Sequence, residues 1–207
     1  MSFQSVIDNA EQIGILRRPI VAQTISRSNI VRSISRGSNV WRFEVKLPDG
    51  PRWTDYRSLI SGIEALDKIN TDTIRFNNTG HQWLIGYQGD LTNKTNIQVT
   101  VPSSGNSVTI TSGASGLVSG QYRFRAGDFI QLGASGKCYT VAEDVAYNQS
   151  VVTLHRPLIN ETAGTGVTLK VAEDCVWTVQ CIQFPNWSLF ARDQVSWDGT
   201  FIFQEVI

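Results

Sequence analysis

Side chains able to perform catalysis are few in this sequence, and no spacing brings them together. Cys138 and His155 are of the types that serve as nucleophile and base in covalent catalysis, but nothing requires the two to meet in space. Asp128, Glu143 and Asp144 are of the type that forms acid–base pairs in glycosidases. Aspartates in turns and solvated carboxylates explain the same residues, so we predict no catalytic residue and no enzymatic activity.

Arginines and tryptophans are the residues best suited to binding. Arg123 and Arg125 alternate with aromatic residues and could stack on nucleobases or sugars, although an exposed strand face accounts for the same pattern. The best candidates for a surface that binds other molecules are tryptophans near predicted loops, namely Trp53, Trp83, Trp187 and Trp197. Tryptophan is enriched at carbohydrate sites and at the centres of protein interfaces alike, so residue type alone does not choose between them.

Sequence motifs for cofactors and metals are missing. There is no P-loop, no G-x-G-x-x-G, no H-E-x-x-H and no calcium-loop spacing. The cysteines at positions 138, 175 and 181 are an odd number without a C-x-x-C spacing, which argues against a disulfide framework or a zinc site. We therefore predict no cofactor and no metal site, and we expect reduced thiols that pack as small apolar residues.

The charge balance argues against nucleic acid and membrane as partners. Lys and Arg number 18, Asp and Glu number 18, and charged residues make up 17% of the chain. The chain therefore has no net positive charge that would attract nucleic acid or an anionic membrane. No stretch approaches the roughly 18 apolar residues that span a bilayer, and the first residues do not have the pattern of a signal peptide. We expect a protein that is made in the cytoplasm.

The segment Gln121–Pro157 has the clearest pattern of secondary structure. Apolar and polar residues alternate in Tyr122–Arg125 and in Phe129–Leu132, which is the period of half-buried strands. Cys138–Val141 and the β-branched run Val151–Leu154 follow after turns. Short strands this close together predict a small barrel or a curled antiparallel sheet.

The N-terminal part mixes strands with one helix. Trp41–Leu47 alternates as a strand, and Tyr56–Asn70 has apolar residues at helical spacing, with Asp55 as a plausible N-cap. Thr73–Phe76 and Trp83–Tyr87 are predicted as further strands. Towards the C-terminus we predict more strands at Asn96–Val101, Ser107–Thr111, Val167–Val171, Val176–Phe184 and Thr200–Val206, with a loop over 185–187 and a turn at 197–199.

The first 36 residues carry many arginines but an imperfect alternation. The arginines are Arg17, Arg18, Arg27, Arg32 and Arg36. One interpretation is a charged arm that orders against a neighbouring subunit. The other is an exposed edge strand over Gln23–Ile34 with solvated arginines.

Several of these segments resemble structural tail proteins of tailed bacteriophages. The resemblance is carried by F-R-A-G-D-F-I-Q-L-G at 124–133, Y-T-V-A-E-D-V at 139–145, V-T-L-H-R-P-L at 152–158, F-I-F-Q-E-V at 201–206, and W-R-F-E-V-K-L-P at 41–48 with the R-x-L-x-x-x-I-x-A-L helix at 57–66. Taken across these pieces, the resemblance extends over roughly two thirds of the chain, and it is to the distal-tail or tail-tip adaptor class, the baseplate hub.

The resemblance implies an architecture, a role and a set of partners. It implies a mainly β protein in which residues 1–86 and 167–207 form a tail-tube-like antiparallel β-sandwich flanked by one helix, about 56–70, with an inserted small β-barrel module at 87–166. It further implies a virion protein in a homo-oligomeric ring, hexameric by resemblance, that joins the tail tube to the baseplate or tail tip and contacts other tail proteins. The alternatives are a tail-tube or neck-completion protein, or a carbohydrate-binding β module in which Trp187 and Trp197 stack on sugar.

Overall fold

The computed structural model describes most of the chain. The described residues are 3–17, 21–25, 31–35, 39–66, 70–78, 80–133, 136–190 and 193–207. Arg18, Arg27 and Arg36 of the predicted arginine-rich arm lie outside these ranges, and of Arg32 only the backbone is described.

Two α-helices and a series of short strands make up the described secondary structure. The helices are α1, Gln4–Asp8, and α2, Trp53–Leu66, with 3-10 turns at Gln82–Ile85 and Ala172–Asp174. The strands are β1 Gln12–Leu16, β2 Val21–Ile25, β3 Val31–Ser35, β4 Arg42–Lys46, β5 Thr71–Ile74, β6 Gln98–Val101, β7 Ser107–Ser112, β8 Tyr122–Phe124, β9 Phe129–Leu132, β10 Cys138–Thr140, β11 Val145–Ala146, β12 Val151–Thr153, β13 Gly164–Val171, β14 Trp177–Gln183, β15 Asn186–Phe190, β16 Gln194–Asp198 and β17 Phe201–Glu205. The predicted fold class, mainly β with antiparallel sheets and one substantial helix, is confirmed.

The chain divides into two compact units, the first being Met1–Thr73 with Thr178–Val206. Its sheet has the strand order β1-β4-β17-β14-β5. Alternation in β4 sends Phe43 and Val45 into the core, where Phe203 of the neighbouring strand is also buried. Helix α2 buries an apolar stripe that includes Leu59, Ile60 and Ile63.

The second unit, Ile74–Trp177 with Ile207, is built on a curled sheet. Its six strands have the order β10-β9-β13-β6-β7-β12. The two outermost strands approach each other at one end, because Val141 forms a bridge with Leu154 and the Ala142 N–H donates to the Thr153 carbonyl at 2.8 Å. A core of Val, Ile, Leu and aromatic residues fills the inside of the curl.

The strand predictions hold for much of the chain and fail in particular places. Trp83–Tyr87, predicted as a strand, begins instead in the 3-10 turn Gln82–Ile85, and the segment Gln23–Ile34 contributes to two paired strands, β2 and β3. Helix α2 starts at Trp53, so Asp55 lies in its first turn and is not the N-cap. Helix α1 and strand β1 were not predicted.

The bounds of the two units differ from the predicted domain bounds. Strand β13 pairs with β6 and with β9, so residues 167–171 belong with the second unit although we predicted them in the sandwich. The predicted barrel within 121–157 likewise takes strands from outside that segment, namely β6, β7 and β13. Sequence alternation marks a strand but does not name its partner, which explains both differences.

Candidate assembly surface

Cys138 and His155, which we considered for covalent catalysis, form hydrogen bonds with backbone groups of the second unit. The Cys138 thiol is buried and donates to the Val176 carbonyl at 3.4 Å. The Nδ1 atom of His155 accepts a hydrogen bond from the Thr140 N–H at 2.9 Å. These contacts give both side chains a structural role at the β10 end of the sheet.

The predicted carboxylates lie close together in sequence but have separate environments. Asp128 is fully buried and accepts hydrogen bonds from the N–H groups of Gln88 and Arg125 at 2.8 and 2.7 Å. Burial raises the pKa of Asp128 above its ordinary value, although these N–H groups oppose the shift. Exposed Glu143 accepts a hydrogen bond from the Thr153 hydroxyl. The arrangement is that of a turn tied to its neighbouring strands.

Asp144 connects the same turn to the arginines that we considered for stacking. It accepts the Ala126 N–H at 2.8 Å and pairs with Arg125 at 3.1 Å, and these contacts lower its pKa. The guanidinium of Arg125 lies 3.6 Å from the ring centroid of Tyr122, whereas Arg123 donates to the Gln149 carbonyl. The arginines therefore already contact groups within the same unit.

A concavity of about 360 Å³ lies in the second unit beside strand β13. In its wall the Glu161 carboxylate accepts the Lys137 N–H at 2.7 Å and the Tyr139 hydroxyl at 2.9 Å. The Tyr139 hydroxyl in turn accepts the Ile159 N–H at 3.0 Å. This network pins residues 159–161 to strand β10, so the polar groups have a structural explanation.

Neither a metal-binding cluster nor a membrane-spanning helix is found in the described residues. Among them, no group of three or more His, Cys, Asp or Glu side chains is placed to hold a metal ion. No described helix is both long enough and apolar enough to cross a bilayer.

The four candidate tryptophans have three different environments. Trp83 is 72% exposed, and its indole N–H donates to the Gly80 carbonyl at 2.8 Å. Trp197 is only 6% exposed, since it packs against the rings of Tyr56, Phe184 and Phe201. Our expectation that Trp197 is exposed is therefore wrong. Trp53 and Trp187 are half-buried and stack on each other, with ring centroids 4.9 Å apart.

Trp187 and Trp197 belong to a β-hairpin that sequence patterning missed. Strands β15 and β16 pair in a continuous register in which Trp187 faces Trp197 and Leu189 faces Val195. On its other side β16 is held by residues 50–53, through hydrogen bonds of Val195 to Gly50 and Pro51. The result is a small three-stranded arrangement within the first unit, in which β15 is the outer strand.

Strand β15 exposes apolar side chains at this outer position. Leu189 is 51% exposed and Phe190 is 44% exposed. Leu189 lies on the same face as buried Val195 and Trp197, so the apolar face of the hairpin extends past the residues that are covered. We define the assembly surface as Trp53 together with strand β15, Asn186–Phe190.

Because we predicted a loop over residues 185–187, the sequence analysis did not identify strand β15 or the surface that it forms. Pro185 and Asn186 are typical turn residues, but Asn186 and Trp187 are the first residues of β15. The available signal was the apolar run Leu189-Phe190-Ala191, because three consecutive apolar residues are unusual in an exposed loop.

Comparison with models of known protein families finds no match, and comparison with curated proteins finds none. The functional conclusion therefore depends on the geometry above and on the segments that carry the resemblance.

Proposed function

We propose that the protein is a non-enzymatic structural component of a phage tail, located in the virion, where it forms a ring that joins the tail tube to the baseplate or tail tip. Its partners are further copies of itself, hexameric by resemblance, and other tail and baseplate proteins. The segments at 41–48, 57–66, 124–133, 139–145, 152–158 and 201–206 carry the resemblance on which the choice of virion role depends.

No described strand covers the outer side of β15, and this is the observation that best supports an assembly role. Long-lived soluble proteins usually protect an edge strand with charges, proline or a covering segment, because unpaired backbone groups invite other chains. Strand β15 contains no charged residue and exposes Leu189 and Phe190. In a larger assembly, contacts between copies or with neighbouring proteins cover such edges, so only the free subunit exposes these apolar side chains to water.

The carbohydrate-binding alternative draws less support from the same residues. Trp197, which we considered for stacking on sugar, is buried, and one face of Trp187 is covered by Trp53. A tail-tube or neck-completion role uses the same kind of assembly surface and differs in how the assembly ends. Tube proteins continue as an open polymer, whereas an adaptor closes as a single ring.

The test is the mass and shape of the purified protein in solution. Light scattering over a range of concentrations, followed by electron microscopy, should show one closed oligomer of several 23.0 kDa subunits with a central opening. Open stacks of indefinite length would favour the tail-tube alternative. A monomer that persists at the highest concentration, together with binding on a glycan array, would overturn the proposal in favour of the carbohydrate module.

A further inference from the structure

Within the described part of the chain, no strand pairs with the outer edge of β15, which leaves a defined set of backbone groups facing outward. The Val195 N–H donates to Pro51 and its carbonyl accepts from Gly50, both at 2.9 Å, so both groups point away from β15. In an antiparallel ladder the residue opposite such a position also points its groups away from the shared side. Leu189 is opposite Val195, and hence the N–H and carbonyl of Leu189 face outward.

The same argument applies two residues earlier in the strand. The Trp197 N–H donates to the Asp49 carboxylate at 2.7 Å, on the side away from β15. Trp187 is opposite Trp197, so its N–H and carbonyl also face outward. The outer edge of β15 therefore presents the donors and acceptors of Trp187 and Leu189, separated by Ser188.

The spacing of the outward-facing residues allows the edge of β15 to pair with the same edge of a second copy. If β15 of a second copy lies antiparallel with Ser188 opposite its own counterpart, Trp187 of each copy is opposite Leu189 of the other. The outward groups of both residues are then all paired, because outward residues exchange both hydrogen bonds in an antiparallel ladder. Shifting the register so that Leu189 is opposite Pro185 leaves the Leu189 carbonyl without a donor, because proline has no N–H.

The charges near the edge are compatible with the antiparallel arrangement of the two copies. Within one copy, Arg52 is opposite Gln194 and Gln194 is opposite Phe190, whereas Asn186 is opposite Asp198. The antiparallel pairing aligns Phe190 with Asn186 of the second copy. A row across the combined sheet then has Arg52 of one copy at one end and Asp198 of the other copy at the other end, so the row contains no like charges. The two charges are several strand spacings apart, so they add little to the strength of the pairing.

We propose that the outer edge of β15 is a pairing surface for β15 of a second copy of this chain, in the antiparallel register centred on Ser188. The side chains of Leu189 and Trp187 meet across the new strand pair, and Phe190 meets Asn186. The contact joins two copies about a two-fold axis, whereas the contacts that close a cyclic ring are heterologous, so this pairing would link two subunits of facing rings. It rests on the proposed assembly role and adds to it a symmetric contact with a named partner strand and register.

Single cysteines test the register directly. Opposed residues of a non-hydrogen-bonded antiparallel pair have Cα atoms about 4.5 Å apart, which is within the roughly 4.4–6.8 Å that a disulfide spans. We therefore expect Ser188→Cys to form a covalent dimer under mild oxidation by diamide, seen as a doubled mass on non-reducing gels. Wild-type protein is the negative control and should not cross-link, since its three cysteines are buried.

Asn186→Cys is the matched control, because Asn186 is an exposed residue on the same face of the same strand. In the proposed register it lies roughly 13 Å along the strand from its counterpart, which is too far for a disulfide. Equal cross-linking of the two variants, or none in either, would overturn the register.

A charge on the edge tests the contact in a second way. We expect Leu189→Lys to abolish the cross-link of the Ser188→Cys variant, since edge lysines oppose strand pairing. Val151→Lys, the same kind of change at a 54% exposed site in the second unit, should leave the cross-link intact. Cross-linking that survives Leu189→Lys would contradict the proposal.

The results separate this inference from the proposed function. A closed ring that persists without the Ser188 cross-link would refute the pairing and leave the tail role standing. A cross-linked dimer with no larger assembly would support the pairing and count against the ring.

Discussion

Asp128 shows how a single buried carboxylate organises a turn. Its oxygens accept the N–H groups of Gln88 and Arg125, and its own backbone carbonyl accepts the Val141 N–H at 2.9 Å. It thereby connects a loop, a turn and the end of β10. The sequence suggests a turn aspartate here, and the burial explains why an ionisable residue is tolerated: its charge is met by backbone donors.

Asp128→Asn should destabilise the protein. The amide nitrogen cannot accept either hydrogen bond, so one partly buried N–H loses its partner, which costs about 1 kcal/mol. The free energy of unfolding in urea measures the loss. Asp174→Asn makes the same chemical change at an exposed residue and should have almost no effect. Equal stability of the two variants would refute this role for Asp128.

Asp144 should make stability depend on pH in a defined direction. The Ala126 N–H and the Arg125 guanidinium lower the pKa of Asp144 below its ordinary value of 3.8. A lowered pKa in the folded state means that its contribution to stability is present above pH 3.8 and is lost as the pH falls below it. Melting temperatures of wild type and Asp144→Asn should therefore differ at pH 6 and converge toward pH 2.5. A difference that grows on acidification would contradict the assignment.

At the scale of elements, turns around β7 depend on glycine for two separable reasons. Gly105 and Gly113 flank the strand and have φ of +112° and +82°. A Cβ on Gly105 would meet open space, but a Cβ on Gly113 would lie 2.0 Å from the Asn96 carbonyl oxygen. The first position thus needs glycine for its backbone conformation alone, and the second also needs it for space.

Alanine at each position should separate these costs. Gly105→Ala is expected to lose about 1–2 kcal/mol, the cost of a left-handed conformation with a side chain. Gly113→Ala should lose clearly more, because the Asn96 backbone must also move. Denaturant midpoints of the two variants give the comparison. If Gly105→Ala proved the more damaging, the steric argument would be wrong.

The β15–β16 hairpin is anchored mainly by its inner strand. Trp197 packs against helix α2 through Tyr56 and against β17 through Phe201. We expect Trp197→Ala to cost about 3–5 kcal/mol, and Trp83→Ala, at a 72% exposed site, to stay within about 0.5 kcal/mol. Thermal unfolding followed by tryptophan fluorescence and circular dichroism compares them. If Trp197→Ala lowered the free energy of unfolding no more than Trp83→Ala does, the hairpin would not depend on this packing.

At the scale of the whole molecule, the second unit is one continuous segment of chain with its own core. The core includes Phe124, Ile130, Val152 and Leu169, all within Ile74–Trp177. A unit that closes its sheet with its own strands has what it needs to fold without the remainder of the chain.

Residues 74–177 expressed alone should therefore fold. We expect a β-type circular dichroism spectrum and a cooperative thermal transition that Asp128→Asn lowers. If the fragment were unfolded, or if its melting temperature did not change with Asp128→Asn, the first unit would be required for folding.

The sequence predicted those features that depend on local patterning. Alternation in residues such as Phe43 and Val45, or Val99 and Val101, reports which side chains face a core, and it located the corresponding strands. The helical stripe of Leu59, Ile60 and Ile63 located helix α2 in the same way. The sequence by itself therefore determined a mainly β protein with one substantial helix.

Only the tertiary structure decided which strands are neighbours and which strand is left at an edge. The period of two is the same for a central and an outer strand, and pairing partners such as β13 and β6 lie far apart in the chain. For this reason the bounds of the two units, the burial of Trp197 and the exposure of Leu189 could not be predicted. They depend on what packs against each strand, which is a long-range property of the fold.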